Sequence, residues 1–243
     1  MDLRHRLEDA RRGLRLARAH MALSPTGRRV RKERLTYLSA IKLRTLELCM
    51  QRINAEGVEG DVLEAGVALG GSAVLLATLM GPTRTFHGYD VFATIPAPTE
   101  RDPLESHERY EVIAAGRSKG MDGDLYYGYR KDLYEAVSQT FRAYGIGRYE
   151  LHRGLFEATL HPQGPVAFAH VDSDWYDPVK LALERVYPHL VHGGIVVLDD
   201  YFDFGGARQA GDEFLAAHPD VGMVLRSESV VLRREGRALS RPG

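Results

Sequence analysis

Residues 166–201 decide the fold, and they read VAFAHVDSDWYDPVKLALERVYPHLVHGGIVVLDDY. Residues 166–171 and 195–198 are nearly continuous apolar runs, which predict strands buried on both faces of a parallel sheet. The segment between them carries apolar side chains at helical spacing, namely Val179, Leu183, Val186 and Tyr187. A strand, a helix and a second strand in this order predict an α/β doubly wound domain.

The helix inside this unit has marked ends. Asp177 is expected to cap its N-terminus, and Pro178 suits the first helical position. Pro188 is expected to end the helix, because a proline disfavours the helical conformation of the residue before it. Gly193 and Gly194 are then expected to turn the chain into the second strand.

The same alternation of strands and helices extends to both sides of this unit. Flanking runs predict strands over 62–67, 85–89 and 149–152, a helix over 72–80, and a closing hairpin over 221–233. A long charged insertion, residues 97–132, fits a lid over a binding site and a solvated surface excursion about equally. We expect one domain, residues 59–243, after an N-terminal helical extension, residues 1–58.

The N-terminal extension is strongly basic. Residues 1–34 contain 11 Lys and Arg against 4 Asp and Glu, whereas the whole chain has a net charge of -1. Apolar residues at helical spacing predict an amphipathic helix that ends near Ser24: Leu3, Leu7, Ala10, Leu14, Ala17 and Met21. A second helix is predicted over 34–55. We expect the first helix to dock on its own domain or on a second copy, which allows a homodimer.

The composition excludes several classes of protein. Among 243 residues, 32 Lys and Arg balance 33 Asp and Glu, so no overall field attracts nucleic acid or an anionic membrane. No apolar run approaches the roughly 20 residues that span a bilayer. The single cysteine, Cys49, cannot form an internal disulfide or a thiolate metal site and is expected to be a small core residue. We therefore expect a soluble cytoplasmic protein without a nucleic-acid or membrane partner.

Four carboxylates follow the two strands of the deciding unit. Asp172 and Asp174 come after the first strand, and Asp199 and Asp200 come after the second. Ligands of an open α/β sheet bind beyond the carboxyl ends of its strands, where these side chains are expected to meet. So many negative charges cost energy unless a cation or a proton neutralises some of them, and oxygen ligands favour Mg²⁺ as the cation. Asp172 and Asp174 also form the DxD pattern with which nucleotide-sugar glycosyltransferases hold a divalent cation, so a metal-dependent glycosyltransferase is the alternative.

A glycine-rich turn follows the first predicted strand of the domain. Residues 64–72 read EAGVALGGS, where glycines let a ligand approach the backbone at the start of a helix. The pattern departs from GxGxxG, and strand–helix packing would also explain the glycines. Asp90 ends the next strand, where an acidic side chain can accept hydrogen bonds from ribose hydroxyls. Together these features favour a ligand that contains a nucleoside.

Five segments together resemble the macrocin-type O-methyltransferases. They are residues 64–72, 90–92 with 95–96, 153–156 with 159–160, 170–176 and 198–201. The resemblance covers most of residues 28–220 and is most specific in DSDWY, residues 172–176, and DDY, residues 199–201. These are class I methyltransferases of antibiotic biosynthesis that modify sugar hydroxyls on macrolide, aminocoumarin and related natural products. The resemblance implies a Rossmann-like fold with a mostly parallel seven-stranded sheet and helices on both faces.

The resemblance also implies the ligands and the roles of single residues. S-adenosylmethionine is expected to bind Glu64, Gly66, Ser72, Asp90, Phe156 and Asp172, with Asp90 at the ribose and Phe156 against the adenine. Mg²⁺ is expected on Asp172, Asp199 and Asp200, and Asp174 is expected to be the general base, with His107 as a second candidate. The expected acceptor is a glycosylated small molecule, while a free nucleotide sugar, a cyclitol and a phenolic compound stay open.

Overall fold

The computed structural model describes residues 3–235, with side chains described from residue 11 onward. The helices are α1 (Leu3–Ala22), α2 (Pro25–Lys32), α3 (Ala40–Ala55), α4 (Gly71–Leu79), α5 (Leu104–Ala114), α6 (Leu133–Ala143), α7 (Phe156–Thr159), α8 (Tyr176–Val186) and α9 (Gly205–Ala217). The strands are β1 (Asp61–Ala65), β2 (Phe86–Asp90), β3 (Tyr149–Arg153), β4 (Val166–Val171), β5 (Leu190–Leu198), β6 (Val221–Arg226) and β7 (Val230–Arg234).

Within residues 3–235, the strands form one seven-stranded sheet with the order β3-β2-β1-β4-β5-β7-β6. Strands β1 to β5 pair in parallel, and β7 pairs antiparallel with β5 and β6. The predicted fold class and the closing hairpin are therefore confirmed. The strand order reverses between β1 and β4, and open α/β sheets bind their ligands in the crevice at such a reversal.

Apolar side chains pack against both faces of the sheet. On one face, α3, α4 and α6 contribute Leu43, Leu75 and Phe141, which are fully buried. On the other face, α8 and α9 contribute Leu183 and Phe214.

Cys49 on α3 belongs to the first of these layers and is 7% exposed. Burial raises the pKa of its thiol to about 12, which keeps the thiol protonated at neutral pH. The prediction of a small core residue is therefore confirmed.

The predicted second helix over 34–55 is wrong in its first part. α2 ends at Lys32, and the chain is not helical again until α3 begins at Ala40. Arg34 has a left-handed φ of 56°, a conformation that a continuous right-handed helix cannot contain. The basic segment before α3 is therefore divided into a short helix and an extended strap.

The strap, residues 35–39, is held in place at both ends. The Gly71 amide donates to the Leu35 carbonyl at 2.8 Å, which ties the strap to the glycine-rich turn. The Ser39 hydroxyl accepts a hydrogen bond from the Lys42 amide and caps α3. These two contacts hold the strap in an extended conformation, although the spacing of its apolar residues predicts a helix.

Helix α8 begins at Tyr176, so Asp177 lies in its first turn and the prediction of an Asp177 cap is wrong. The Tyr176 amide donates to Oδ1 of Asp102 at 2.8 Å. Asp102 belongs to the long insertion. Its carboxylate accepts the hydrogen bond from the first amide of α8, which a residue next to the helix would otherwise accept. The helix ends at Val186, before Pro188, as predicted.

Gly193 and Gly194 lie inside β5, which already starts at Leu190, so the prediction that they precede the strand is wrong. Gly193 has a φ of 79° and lies where the register between β4 and β5 shifts. A glycine adopts that conformation without the strain that a Cβ atom would cause. The strand is therefore longer than its apolar run.

Helix α1 ends at Ala22, close to its predicted end. Three of its predicted apolar positions lie outside the residues whose side chains are described: Leu3, Leu7 and Ala10. Helix α1 packs on α3, as the predicted docking on its own domain requires, but Leu14 is 53% exposed and Met21 is 71% exposed, so these two apolar positions do not face the domain. Ala19 packs against the core instead, because its small side chain lies on the face toward α3. No helix within residues 3–235 is both long and apolar enough to cross a membrane.

Candidate active site

The carboxyl ends of β4 and β5 bring the three predicted metal ligands together. The Asp172 amide donates to the Ala65 carbonyl at 2.9 Å, and the Asp199 amide donates to the Val171 carbonyl at 3.0 Å. These bonds extend the sheet by one residue and fix both aspartates at its rim. As a result, carboxylate oxygens of Asp172, Asp199 and Asp200, the carboxylate cluster, lie within 4.8 Å of one another.

Burial and mutual repulsion control the charge of the carboxylate cluster. Burial raises the pKa of Asp172, and the neighbouring Asp199 raises it further. Burial also raises the pKa of Asp200, with repulsion from Asp174 adding to the effect. Carboxyl groups in this situation resist ionisation until positive charge is brought close to them. A bound proton or a nearby positive charge therefore stabilises both carboxyl groups.

Lys42 supplies part of the missing positive charge. Its Nζ lies 2.7 Å from Oδ2 of Asp199 and 2.7 Å from Oδ2 of Asp203, and its side chain is 13% exposed. Burial alone would lower the pKa of Lys42, but the charge of Asp199 reverses this, so the pKa is raised. Burial also opposes ionisation of Asp199, yet the nearby imidazole of His170 and the charge of Lys42 lower its pKa. Asp199 is therefore the member of the cluster that ionises most readily.

The donor set of the cluster fits a hard divalent cation. Asp172, Asp199 and Asp200 offer oxygen atoms only, which is the ligand type that Mg²⁺ prefers. Lys42 alone cannot balance these three carboxylates, since Asp174 lies beside them and adds to their repulsion. A divalent cation removes that imbalance more completely than a single lysine does.

Asp174 occupies an unusual backbone conformation beside the cluster. Its φ is 59°, and its amide donates to Oδ2 of Asp200 at 3.0 Å. Left-handed conformations of residues other than glycine persist where the surroundings enforce them, and they concentrate at functional sites. Burial, together with the charge of Asp199, raises the pKa of Asp174 to about 6. Its carboxylate is therefore a stronger base than that of an exposed aspartate and is still mostly ionised at neutral pH.

A buried acid–base pair lies directly behind the cluster. The register of β1 and β4 pairs Glu64 with His170, and Nδ1 of His170 lies 2.7 Å from Oε1 of Glu64. On the other side of the ring, Nε2 lies 3.7 Å from Oδ1 of Asp199. Although burial opposes a charge on His170, Asp199 and Glu64 raise its pKa to about 10. Glu64 thus supports the carboxylate rim from behind.

The glycine-rich turn is shaped by its neighbours. Gly66 has a φ of 96°, and a Cβ atom placed on it would lie 1.7 Å from the Asp172 carbonyl oxygen. Only glycine allows the two strand ends to approach this closely. Asp90 accepts hydrogen bonds from three backbone amides of the turn and its own strand end: Val67, Ala68 and Phe92. A carboxylate has about four acceptor positions, so roughly one is left for a ligand.

The glycine-rich turn and the carboxylate cluster open into one cavity of about 1240 Å³. Most of the predicted site residues line it: Gly66, Ser72, Asp90, Phe156, Asp172, Asp174, Asp199 and Asp200. Glu64 and His107 are not among the residues that line it. Nε2 of His107 lies 3.1 Å from the Thr99 carbonyl of its own insertion. The geometry therefore favours Asp174 over His107 as the base.

Several lining residues were missed by sequence reasoning. Lys42 belongs to no recognisable sequence motif, and only the packing of α3 on the sheet brings it to the carboxylates. The long insertion contributes Arg109, Tyr126 and Tyr127. Helix α1 contributes Arg11, Arg12 and Arg15, for which the basic composition of the N-terminus is the available signal.

Comparison with known proteins places the sequence among methyltransferases. Residues 16–222 match the family model of the macrocin-O-methyltransferases (TylF). The chain is 28% identical over 180 residues to the 8-demethyl-8-(2,3-dimethoxy-alpha-L-rhamnosyl)-tetracenomycin-C 4'-O-methyltransferase of Streptomyces olivaceus, covering 68% of this chain and 62% of that protein. It is 25% identical to the demethyldecarbamoylnovobiocin O-methyltransferase of Streptomyces niveus, covering 83% of this chain and 73% of that protein.

The solved structures agree on the fold. The structure of the O-methyltransferase NovP superposes with a TM-score of 0.70 at 22% identity, covering 83% of this chain and 82% of that chain. The family match spans the glycine-rich turn and the carboxylate cluster alike, and it lends no support to the glycosyltransferase alternative for Asp172 and Asp174. The chain belongs to the macrocin-O-methyltransferase (TylF) family of S-adenosylmethionine-dependent O-methyltransferases.

Proposed function

We propose that this protein transfers a methyl group from S-adenosylmethionine to a sugar hydroxyl of a glycosylated natural product, with Mg²⁺ bound to the carboxylate cluster. The observation that carries the proposal is the shared cavity. The turn suited to a nucleoside and the cluster suited to a hard cation both open into it. A methyl donor and an acceptor hydroxyl can therefore meet at reacting distance inside one space.

The cofactor side of the cavity is built from the ends of β1 and β2. S-adenosylmethionine supplies an electrophilic methyl group when it is bound there. Gly66 lets the ligand approach the backbone, and Ser72 presents a hydroxyl in the first turn of α4. Asp90 accepts a hydrogen bond from the ribose through its remaining acceptor position, and Phe156 gives the adenine an apolar face.

The metal side of the cavity is the carboxylate cluster. Asp172, Asp199 and Asp200 hold Mg²⁺ in this proposal, because they offer three converging oxygen donors. When bound, Mg²⁺ acts as a Lewis acid on the acceptor hydroxyl and orients it. Lys42 and His170 lower the pKa of Asp199, which favours its ionised form as a ligand.

Asp174 removes the proton of the acceptor hydroxyl in this mechanism. A sugar hydroxyl holds its proton nearly as tightly as water, whose pKa is about 15.7, so attack at neutral pH needs a base. Asp174 lines the cavity, and the hydrogen bond from its amide to Asp200 fixes the backbone that carries the carboxylate. The carboxylate of Asp174, which accepts the proton, is thereby held next to the carboxylate cluster, where Mg²⁺ would orient the hydroxyl.

The long insertion, residues 97–132, acts as a lid on the acceptor side in this proposal. Tyr126 and Tyr127 line the cavity, and the ring of Tyr127 lies 5.9 Å from that of Tyr37 on the strap. An ion pair of 2.9 Å between Arg34 and Asp122 joins the insertion to the N-terminal extension. Closure by these contacts excludes water from the reacting groups.

Titration calorimetry followed by a transfer assay tests the proposal. We expect saturable binding of S-adenosylmethionine by the metal-free protein, and separate binding of Mg²⁺ that Asp199→Ala weakens by about 100-fold or more. Labelled S-adenosylmethionine with a panel of glycosylated metabolites, with and without EDTA, then measures the reaction. Full methylation in EDTA would remove Mg²⁺ from the proposal, and absence of cofactor binding would overturn it as a whole.

A free nucleotide sugar is a second candidate acceptor. Arg11, Arg12 and Arg15 line the cavity, and guanidinium groups bind phosphate through charge-assisted hydrogen bonds. A neutral glycoside carries no negative charge that these three guanidinium groups could bind. Faster methylation of a nucleoside diphosphate sugar than of the matching glycoside, with the preference lost in Arg12→Ala, would favour this acceptor.

A homodimer remains part of the proposal. Leu14 and Met21 are exposed on α1, and a second copy would remove them from water. Light scattering at micromolar concentration measures the mass directly. A monomeric mass would contradict this part and leave the catalytic proposal unchanged.

A further inference from the structure

We propose that the protein binds a zinc ion at a second site, the imidazole cluster, formed by His87, Glu150 and His152. His87 lies on β2, whereas Glu150 and His152 lie on β3, which is the edge strand of the sheet. The register pairs His87 with Glu150 and Tyr89 with His152, so the three side chains share one face of the sheet. None of the three lines the cavity of the candidate active site.

The imidazole cluster brings one ligand atom from each of its three side chains close together. Nδ1 of His87 lies 3.5 Å from Nε2 of His152. Oε2 of Glu150 lies 3.6 Å from each of these two nitrogens. The centre of such a triangle is about 2.1 Å from every corner, which is the side length divided by √3. Zinc forms bonds of about 2.0–2.2 Å to nitrogen and oxygen, so the ion fits with small side-chain adjustments.

A fourth side chain prepares His87 for this role. Oδ2 of Asp61 lies 3.4 Å from Nε2 of His87, while Oδ1 of Asp61 accepts a hydrogen bond from the Thr85 amide at 2.8 Å. The carboxylate favours a proton on Nε2, which leaves the lone pair of Nδ1 free for the ion. Histidine ligands of metals commonly donate their second N–H to a carboxylate in this way.

His152 and Glu150 are also suited to bind an ion from solution. The His152 side chain is 30% exposed, so an ion in solution can reach its ring. The ring stacks on Tyr89 with centroids 4.4 Å apart and planes 10° apart, which restricts its rotation. The Glu150 side chain is 60% exposed, so an ion has access and water can take the fourth position.

The ligand types and the position define the ion and its effect. Two imidazoles and one carboxylate suit Zn²⁺, whereas Mg²⁺ prefers oxygen ligands alone. The ion joins β3 to β2 and, through Asp61, to β1. An edge strand has a neighbour on one side only, and a cross-link therefore strengthens the part of the sheet that opens most easily. The site is stabilising, and it takes no part in methyl transfer.

Zinc titration of the metal-free protein, with excess Mg²⁺ present to occupy the carboxylate cluster, tests this site. We expect one saturable Zn²⁺ per chain, and at least about a 100-fold loss of affinity in His152→Ala, because even residues that only orient metal ligands cost about 10–100-fold. His161→Ala is the matched control, since it removes an imidazole that contacts Arg185 outside the cluster. Its zinc affinity is expected to equal that of the parent protein.

Two further measurements separate a built site from general metal binding. Asp61→Asn keeps an acceptor for the Thr85 amide but removes the charge beside His87, and we expect about a 10-fold loss of zinc affinity. Zinc is expected to raise the melting temperature of the parent protein and of His161→Ala, but not that of His152→Ala.

Two outcomes would overturn the zinc site. Equal zinc affinity in the parent protein and His152→Ala would assign the ion to other ligands. Absence of saturable binding by the parent protein would remove the site altogether. Neither outcome bears on the proposed methyl transfer, because none of these variants changes a residue of the candidate active site.

Discussion

The carboxylate cluster and the imidazole cluster differ in depth and in chemistry. Asp199 is 3% exposed and Asp200 is 6% exposed at the centre of the sheet, and the cluster offers oxygen atoms only. Glu150, at the edge of the sheet, has a side chain that is 60% exposed and lies between two imidazoles. The same type of strand pairing therefore produces two very different ligand sets.

Depth explains what each cluster requires. Water balances the carboxylates only in part, because Asp199 and Asp200 are buried. The protein places Lys42 and His170 beside Asp199, and repulsion among the carboxylates remains. At the edge, water screens a single carboxylate, and burial lowers the pKa of His152, which disfavours a charge on its ring. The central cluster is therefore suited to a cation that works on a substrate, and the edge cluster to an ion that holds strands together.

The largest expected effect concerns the base of the central site. Asp174→Asn is expected to lower kcat by about 10²- to 10⁴-fold, because the amide cannot take the proton of the hydroxyl. Binding of S-adenosylmethionine and Mg²⁺ should persist, which calorimetry measures. Glu184→Gln, an exposed carboxylate on α8, is the control and should retain full activity. An unchanged rate in Asp174→Asn would assign proton removal to another group.

The next effect tests whether the two clusters are independent. Asp199→Ala is expected to weaken Mg²⁺ binding and turnover by about 100-fold or more, since it removes a ligand outright. His152→Ala should keep methyl transfer at the parent rate while it loses zinc. Loss of methyl transfer in His152→Ala, with cofactor binding intact, would show that the imidazole cluster and the carboxylate cluster are coupled.

A smaller effect concerns Lys42, which supplies positive charge to the carboxylate cluster. Lys42→Met should lower the free energy of unfolding of the metal-free protein by about 2–3 kcal/mol, because Asp199 loses a charged partner. Mg²⁺ should restore part of that loss. Urea unfolding with and without Mg²⁺ measures both.

The matched control for Lys42 is Lys180→Met, which removes an exposed ion pair with Glu213 and should change stability little. Equal destabilisation in the two variants would mean that the burial of the Lys42–Asp199 pair has no energetic consequence.

The last effect is a pH dependence of stability, which is spread over several pH units and is the smallest per unit. Folding raises the pKa of His170 from 6.5 to about 10, so its contribution is complete below pH 6.5 and is lost as the pH rises toward 10. The free energy of unfolding of the metal-free protein should therefore fall over this range, by at most about 1.4 kcal/mol per pH unit. His170→Asn should remove that slope. Urea unfolding at several pH values measures this. An equal pH dependence of the free energy of unfolding in the parent protein and in His170→Asn would mean that His170 is neutral in the folded protein.

Sequence reasoning succeeded where the signal was local. The apolar runs of β4 and β5 predict buried neighbouring strands, and the aspartates that follow them therefore had to meet at one rim. It failed where a distant group replaced a local one. Asp102 caps α8 in place of Asp177, and the contact of Leu35 with Gly71 replaces the first part of a predicted helix.

The sequence by itself determined the sheet, the glycine-rich turn and the aspartates at the strand ends, because the period of apolar residues and the position after a strand are both local properties. Only the tertiary structure decided that Lys42 and His170 support Asp199 and that β2 and β3 bring His87 and His152 together. Lys42 and Asp199 are 157 positions apart in the chain, and His87 and His152 are 65 positions apart. No local pattern records which distant side chains packing will bring into contact.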